Sequence, residues 1–293
     1  MCPPLLITGR PFWLSLKTFL IRNILRHFAN KEVIALKYLE SLMELECFSR
    51  QDVVSMTGSE DAAHSLLYDY LAKGYIDRVR RDLYVAISLE TKQPVANRYK
   101  IASHLADDAC ISYHTAFEYF GYGNQVFHEV YVLTHSRFRS YVYDGVSYTR
   151  VSPKIAGGII TDRSGVRTTD LERTAIDSIH GFEKIGGLEE LLRCMLLIPS
   201  LNGDKLIQYL DEYGLSTLYQ RAGYIFDQLS GEIGIPERVM THCQERLPES
   251  KRYLYVSTNN KQDIFVFHPE WRLFAPKRLM AVVSKGVYDG KAG

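Results

Sequence analysis

The chain has 293 residues, 46% of them hydrophobic and 24% charged, with 35 Lys and Arg against 34 Asp and Glu. That length suits two domains, and the composition matches a soluble globular protein and not a disordered or membrane one. A net charge of +1 means that attraction to a polyanion cannot come from the molecule as a whole, so any nucleic-acid partner must be recognised through local clusters.

Five scattered cysteines (Cys2, Cys47, Cys110, Cys194, Cys243) form no C-x-x-C pair. Neither a disulfide framework nor a zinc site is expected, and a reducing cytoplasm is the simplest setting. Residues 1–30 form an extension. Within it Trp13, Leu16, Leu20 and Ile24 recur at helical spacing, while Lys17, Arg22 and Arg26 interrupt any span of membrane length. An amphipathic helix is expected there, and no signal peptide.

Residues 31–95 read as one compact module. Asn30 stands at an N-cap, and Ala35, Tyr38, Leu39, Leu42 and Met43 form one buried helical face. Ser49 and Asp52 have capping-box spacing for a short helix bearing Val53, Val54 and Met56, which Gly58 stops. Ser59 then caps a longer helix with an apolar stripe of Ala63, Leu66, Leu67, Tyr70 and Leu71, closed by Gly74. The segment "YIDRVRRDLYVAI" follows at once as a hairpin. Helix, short helix, turn, longer helix and hairpin is the order of a winged helix-turn-helix, whose longer helix enters the major groove.

The exposed face of that longer helix is expected to carry Ser59, Glu60, Asp61, His64, Ser65, Tyr68 and Asp69. Ser59, His64, Ser65 and Tyr68 suit phosphates or base edges, whereas the three acids repel phosphate. Positive charge falls to Arg50 and to Arg78, Arg80 and Arg81 of the hairpin. Those eight residues are the expected DNA-binding set. The acids leave a protein-docking role for the same module as an alternative.

Residues 96–293 read as an α+β domain: helices, then strands around "EVYVLTH", "GVSYTRVS" and "IAGGIITDRSGVRTTD", then amphipathic helices and late strands. Ser112 and Thr169 are expected N-caps, the latter in a capping box with Glu172. Arg173 and Asp177 have i, i+4 ion-pair spacing. Neither Ser112 with His114 nor Glu172 with Asp177 makes a persuasive catalytic set. No phosphate-binding loop, zinc-protease or hydrolase motif occurs, so no catalytic residue, metal or cofactor is expected. Arg137, Arg139, Arg150 and Lys154, interleaved with Tyr141, Tyr143 and Tyr148, form a second candidate nucleic-acid surface.

Four segments in order, "YIDRVRRDLYV", "CISYHTAFEYFG", "TTDLERTAID" and "LYQRAGYIFDQL", give the chain from Lys31 to Arg278 a resemblance to the AbiEi-type antitoxins of bacterial toxin–antitoxin systems. The resemblance implies a winged helix that binds inverted repeats in its own promoter; paired half-sites match two-fold symmetry, so a homodimer on DNA is expected. It also implies a larger domain that counters a nucleotidyltransferase-like toxin without a stable complex. The hairpin departs from the family at its tip, where Asp82 stands in place of the usual Gly.

Overall fold

The computed structural model of the protein describes residues 38–255 and 265–285. The helix expected within 1–30, the Asn30 cap and Ala35 lie outside the described residues. The chain is mixed α+β and divides into two compact units, Met1–Ala96 and Asn97–Gly293.

In the first unit a helix over 38–45 (α1) buries Leu39 and Leu42. After Glu46, a left-handed residue at φ +62°, the chain enters β1 (Cys47–Ser49). Next come α2 (Arg50–Thr57), α3 (Glu60–Ala72), β2 (Ile76–Arg80) and β3 (Leu83–Ala86). Both halves of the Ser49–Asp52 capping box form: Asp52 N–H donates to Ser49 Oγ at 3.2 Å and Ser49 N–H to Asp52 Oδ2 at 2.7 Å. Gly58, at φ +80°, ends α2, and Ser59 Oγ accepts from Ala62 N–H at 3.2 Å to start α3. Each end is thus fixed by local hydrogen bonds, which is why the sequence reads so directly.

The three strands form an antiparallel sheet in the order β1-β3-β2. One face of that sheet, with Phe48 and Tyr84 stacked at 6.1 Å, meets Leu42, Val53, Ala63, Leu67 and Tyr70 from the helices. Each such apolar side chain contributes about 1.5–3 kcal/mol on burial. At the hairpin turn Asp82 adopts φ +59°, a left-handed conformation that a short polar side chain tolerates better than most. Its carbonyl accepts from Arg50 N–H at 3.2 Å, tying the turn to the start of α2.

The second unit opens with α4 (Arg98–Ser103), β4 (Cys110–Ile111), α5 (Tyr113–Tyr119) and β5 (Glu129–Leu133). It continues with β6 (Tyr141–Tyr143), β7 (Val146–Val151), β8 (Ile159–Thr161), β9 (Arg167–Thr169) and α6 (Leu171–His180). These six strands make one mixed sheet in the order β6-β7-β5-β4-β9-β8. A 3-10 turn (Phe182–Ile185) leads into four helices, α7 (Leu188–Leu196), α8 (Gly203–Tyr213), α9 (Ser216–Leu229) and α10 (Glu237–Gln244). A small sheet of β10 (Arg252–Tyr253), β12 (Leu273–Pro276) and β11 (Phe265–His268) and a last helix α11 (Met280–Lys285) complete it.

A hydrophobic core of this unit gathers buried residues of α6–α10 and includes Trp271, which is 1% exposed. Gly223 of α9 makes this possible. A Cβ there would stand 2.1 Å from Trp271 Cζ3, so the indole lies directly on the helix backbone.

Two caps differ from expectation. Asp170, and not Thr169, caps α6: its Oδ1 accepts from Arg173 N–H at 2.9 Å, while Thr169 still belongs to β9 and its hydroxyl bonds Thr174. Glu172 turns away from the cap and accepts from Asn202 N–H at 2.8 Å. Ser112 occupies the N-cap position of α5, but its hydroxyl makes no capping bond. The next residue, Tyr113, sits at φ +54°, so the first turn does not present its N–H groups to the serine in the usual way.

Candidate nucleic-acid interface

The first unit gathers most of the expected DNA-binding residues on its exposed surface. On α3, His64, Ser65 and Tyr68 are exposed, and Tyr68 is 73% so. Their helical positions are opposite Ala63, Leu67 and Tyr70, which are buried. Ser59 is exposed, with its hydroxyl oxygen already engaged as the α3 cap.

Arg78 and Arg81 project from the hairpin. Arg78 is exposed, and its Nε donates to Arg80 O at 3.3 Å. The register of β2 against β3 shifts between Arg78 and Arg80, a bulge that re-aims the arginines near the tip. Arg80 is half-buried. The Arg81 side chain is 91% exposed, and its Nε lies 3.4 Å from Asp82 Oδ2.

The acids of α3 are not the uniform repulsive face that the sequence implies. Asp69 pairs with Lys73 at 2.7 Å one turn on, and Glu60 pairs with Arg50 at 2.9 Å across the gap between helices. Asp61 takes part in none of the ion pairs among the described residues. Pairing removes much of the repulsion but also occupies Arg50. Of the four arginines in the expected set, Arg78 and Arg81 are exposed, while Arg50 and Arg80 are half-buried. An open depression lined by Ser49, Arg50, Gln51, Glu60, Arg81 and Asp82 joins the starts of α2 and α3 to the hairpin turn.

The second candidate surface is less coherent. Arg137, Arg139 and Lys154 are exposed. Arg150, however, donates from Nε to Ser136 O at 2.6 Å and from Nη2 to His135 O at 3.3 Å, and so braces the loop after β5. Tyr148 is 1% exposed and stacks on Tyr141 at 5.4 Å. Its ring is core, and it offers no platform for a base.

No protein-family model matches the chain, and no curated protein matches it. The chain is similar to the crystal structure of the RV2827C protein from Mycobacterium tuberculosis, 15% identical, with a TM-score of 0.58 over 86% of this chain and 94% of that one. At that identity the likeness is one of fold.

Arg173 and Asp177 are held in a buried hydrogen-bond network. Arg173 is fully buried on α6: its Nε donates to Asp177 Oδ2 at 3.1 Å, its Nη2 to Ile155 O at 3.0 Å and its Nη1 to Gly157 O. Asp177 also accepts from Tyr213 OH at 2.5 Å, and Asp170 from Tyr209 OH at 2.8 Å and Lys205 Nζ at 2.9 Å. The "TTDLERTAID" segment thus cross-links α6, α8 and the loop before β8.

A second buried cluster brings together residues that no sequence spacing connects. The ligand-capable atoms of His114, Glu190 and Cys194 lie within 4.8 Å of one another. Glu190 accepts from His114 Nε2 at 3.2 Å, Cys194 Sγ at 3.5 Å, and Asn124 Nδ2 and Gln125 Nε2 at 3.1 Å each. Four donors saturate the carboxylate, while His114 Nδ1 is buried without a hydrogen-bond partner. Burial pushes the Cys194 thiol up to about 12 and holds the His114 imidazole below its usual range.

Among the described residues no helix is long and apolar enough to cross a membrane.

Proposed function

We propose that the first unit is a winged helix-turn-helix that binds duplex DNA, and that the protein is a cytoplasmic antitoxin that represses its own operon. The observation that carries this reading is the pairing of an exposed α3 face bearing His64, Ser65 and Tyr68 with a hairpin whose tip arginine is 91% exposed. A helix that can enter the major groove beside a cationic hairpin that can reach the flanking backbone is the arrangement this kind of recognition uses. Arg78, Arg80, Arg81 and Arg50 neutralise phosphates, and Ser65, His64 and Tyr68 meet base edges. The second unit counters a nucleotidyltransferase-like toxin. The four ordered segments support that part, and so does the structural employment of Arg173 and Asp177, which argues for protection without catalysis.

A band-shift titration with the protein's own upstream DNA, competed by random duplex, tests the repressor role. Preference for the upstream fragment is expected, and equal affinity for both contradicts it. Co-expression with a nucleotidyltransferase-like toxin tests the antitoxin role, with rescue of growth expected from the full chain. One observation favours a different use of the first unit. Tyr68 is a large exposed aromatic beside paired acids, a surface that suits a protein partner. A stoichiometric protein complex with no DNA affinity would favour that alternative.

A further inference from the structure

We propose that Glu60 occupies the phosphate position on Arg50 and acts as a built-in competitor that holds down the DNA affinity of the first unit; this rests on the DNA-binding reading above. The two residues are ten positions apart and sit at the starts of successive helices. Arg50 Nε and Nη2 both converge on one oxygen of Glu60, at 3.1 and 2.9 Å. A carboxylate held this way by two guanidinium N–H groups presents the same charge and hydrogen-bonding pattern as a phosphodiester oxygen.

The surroundings make the exchange feasible. The pair lies in the open depression whose other lining residues are Ser49, Gln51, Arg81 and Asp82. The Arg50 and Glu60 side chains are 41% and 62% exposed, so neither is trapped, and Glu60 swings into solvent without disturbing the core. The hairpin turn is fixed alongside, because Arg50 N–H donates to Asp82 O at 3.2 Å. Arg81, on the same turn, is itself held at 3.4 Å by Asp82. A backbone phosphate entering the depression would therefore meet two arginines from two elements, each with a resident carboxylate.

The consequence is quantitative. An arginine already neutralised by a carboxylate gains little when it changes partner, and the freed carboxylate then stands near the DNA. Removing the Glu60 charge should restore one full phosphate contact. Each such contact adds about 0.9 to the magnitude of the slope of log affinity against log salt. Affinity at moderate salt should then rise by roughly 3- to 10-fold, a gain within the range of a typical net hydrogen bond. Because the contact is to backbone, it should rise for every duplex.

The test is fluorescence anisotropy of the full chain on 30-base-pair duplexes, one from its own upstream region and one random, over a salt series. Four forms are compared: wild type, Glu60→Gln, Arg50→Ala with Glu60→Gln, and Asp61→Asn as a control for simple loss of negative charge. The proposal expects Glu60→Gln to bind both duplexes more tightly with a steeper salt slope. It expects the double variant to lose the gain, and Asp61→Asn to produce a smaller rise without the change in slope. Wild-type binding that Glu60→Gln leaves unchanged or weakens would overturn the inference while leaving the DNA-binding reading intact, as would an equal gain from Asp61→Asn. Absence of binding by every form would overturn both. Circular dichroism of each variant separates loss of fold from loss of contact.

Discussion

Replacing Arg173 with Leu removes a guanidinium that is fully buried and bonded at three points, to Asp177 and to the carbonyls of Ile155 and Gly157. The leucine fills part of the volume but leaves the Asp177 carboxylate without its countercharge and two carbonyls without donors. Breaking a buried ion pair by removing one partner costs about 3–5 kcal/mol. Tyr213 still donates to Asp177, which places the expected loss toward the lower end. For a unit of this size about 3 kcal/mol corresponds to a fall in melting temperature of roughly 6–12 °C. Adding Asp177→Asn, which removes the stranded charge, should recover part of the loss. Thermal denaturation followed by circular dichroism measures both. A shift below about 2 °C for Arg173→Leu, or a further loss on adding Asp177→Asn, would refute the architectural role and reopen a catalytic one.

Two further outcomes follow from the same structure. Gly223→Ala drives a methyl into Trp271 at 2.1 Å, and overpacking of this kind costs about 1–3 kcal/mol. A lower denaturant midpoint and altered tryptophan emission are expected, and unchanged stability would contradict the close approach. Burial holds His114 below its ordinary pKa, and burial with the nearby positive charges of Arg221, Lys154 and Lys184 does the same for His180. Both are more basic when unfolded, so their contribution is complete above about pH 6.5 and is lost as pH falls below it. Denaturant midpoints should therefore drop between pH 7.5 and 5.5, less so in His180→Gln, and equal midpoints would contradict the neutral burial of these rings.

How much of this was legible in the sequence depends on range. The Ser49–Asp52 capping box, the Ser59 cap and the Gly58 stop involve residues within a few positions of each other, and all were readable. The Arg173–Asp177 pair was readable for the same reason, though not its burial. The hairpin of β6 and β7 was missed, yet it carried a signal: Asp144 and Gly145, at φ +48° and +72°, form the Asp-Gly turn that joins such strands. Thr169 and Glu172 had the right spacing for a cap, but tertiary demands intervened, since β9 claims Thr169 and Asn202 claims Glu172.

The pairing of Glu60 with Arg50 and of Arg150 with loop carbonyls depends on how elements fold back on each other. No local pattern encodes either. His114 and Glu190 meet across 76 positions, so the nine histidines could show no ligand spacing that would reveal the cluster.

The salt dependence of duplex binding by wild type and by a variant with Arg78, Arg80 and Arg81 all replaced by Ala tests the central claim most directly. If the hairpin is a wing on the phosphate backbone, the variant binds all sequences more weakly and its slope of log affinity against log salt falls by about 2–3 in magnitude. An unchanged slope, or a loss confined to one base position, would mean that these arginines do not lie on the phosphates.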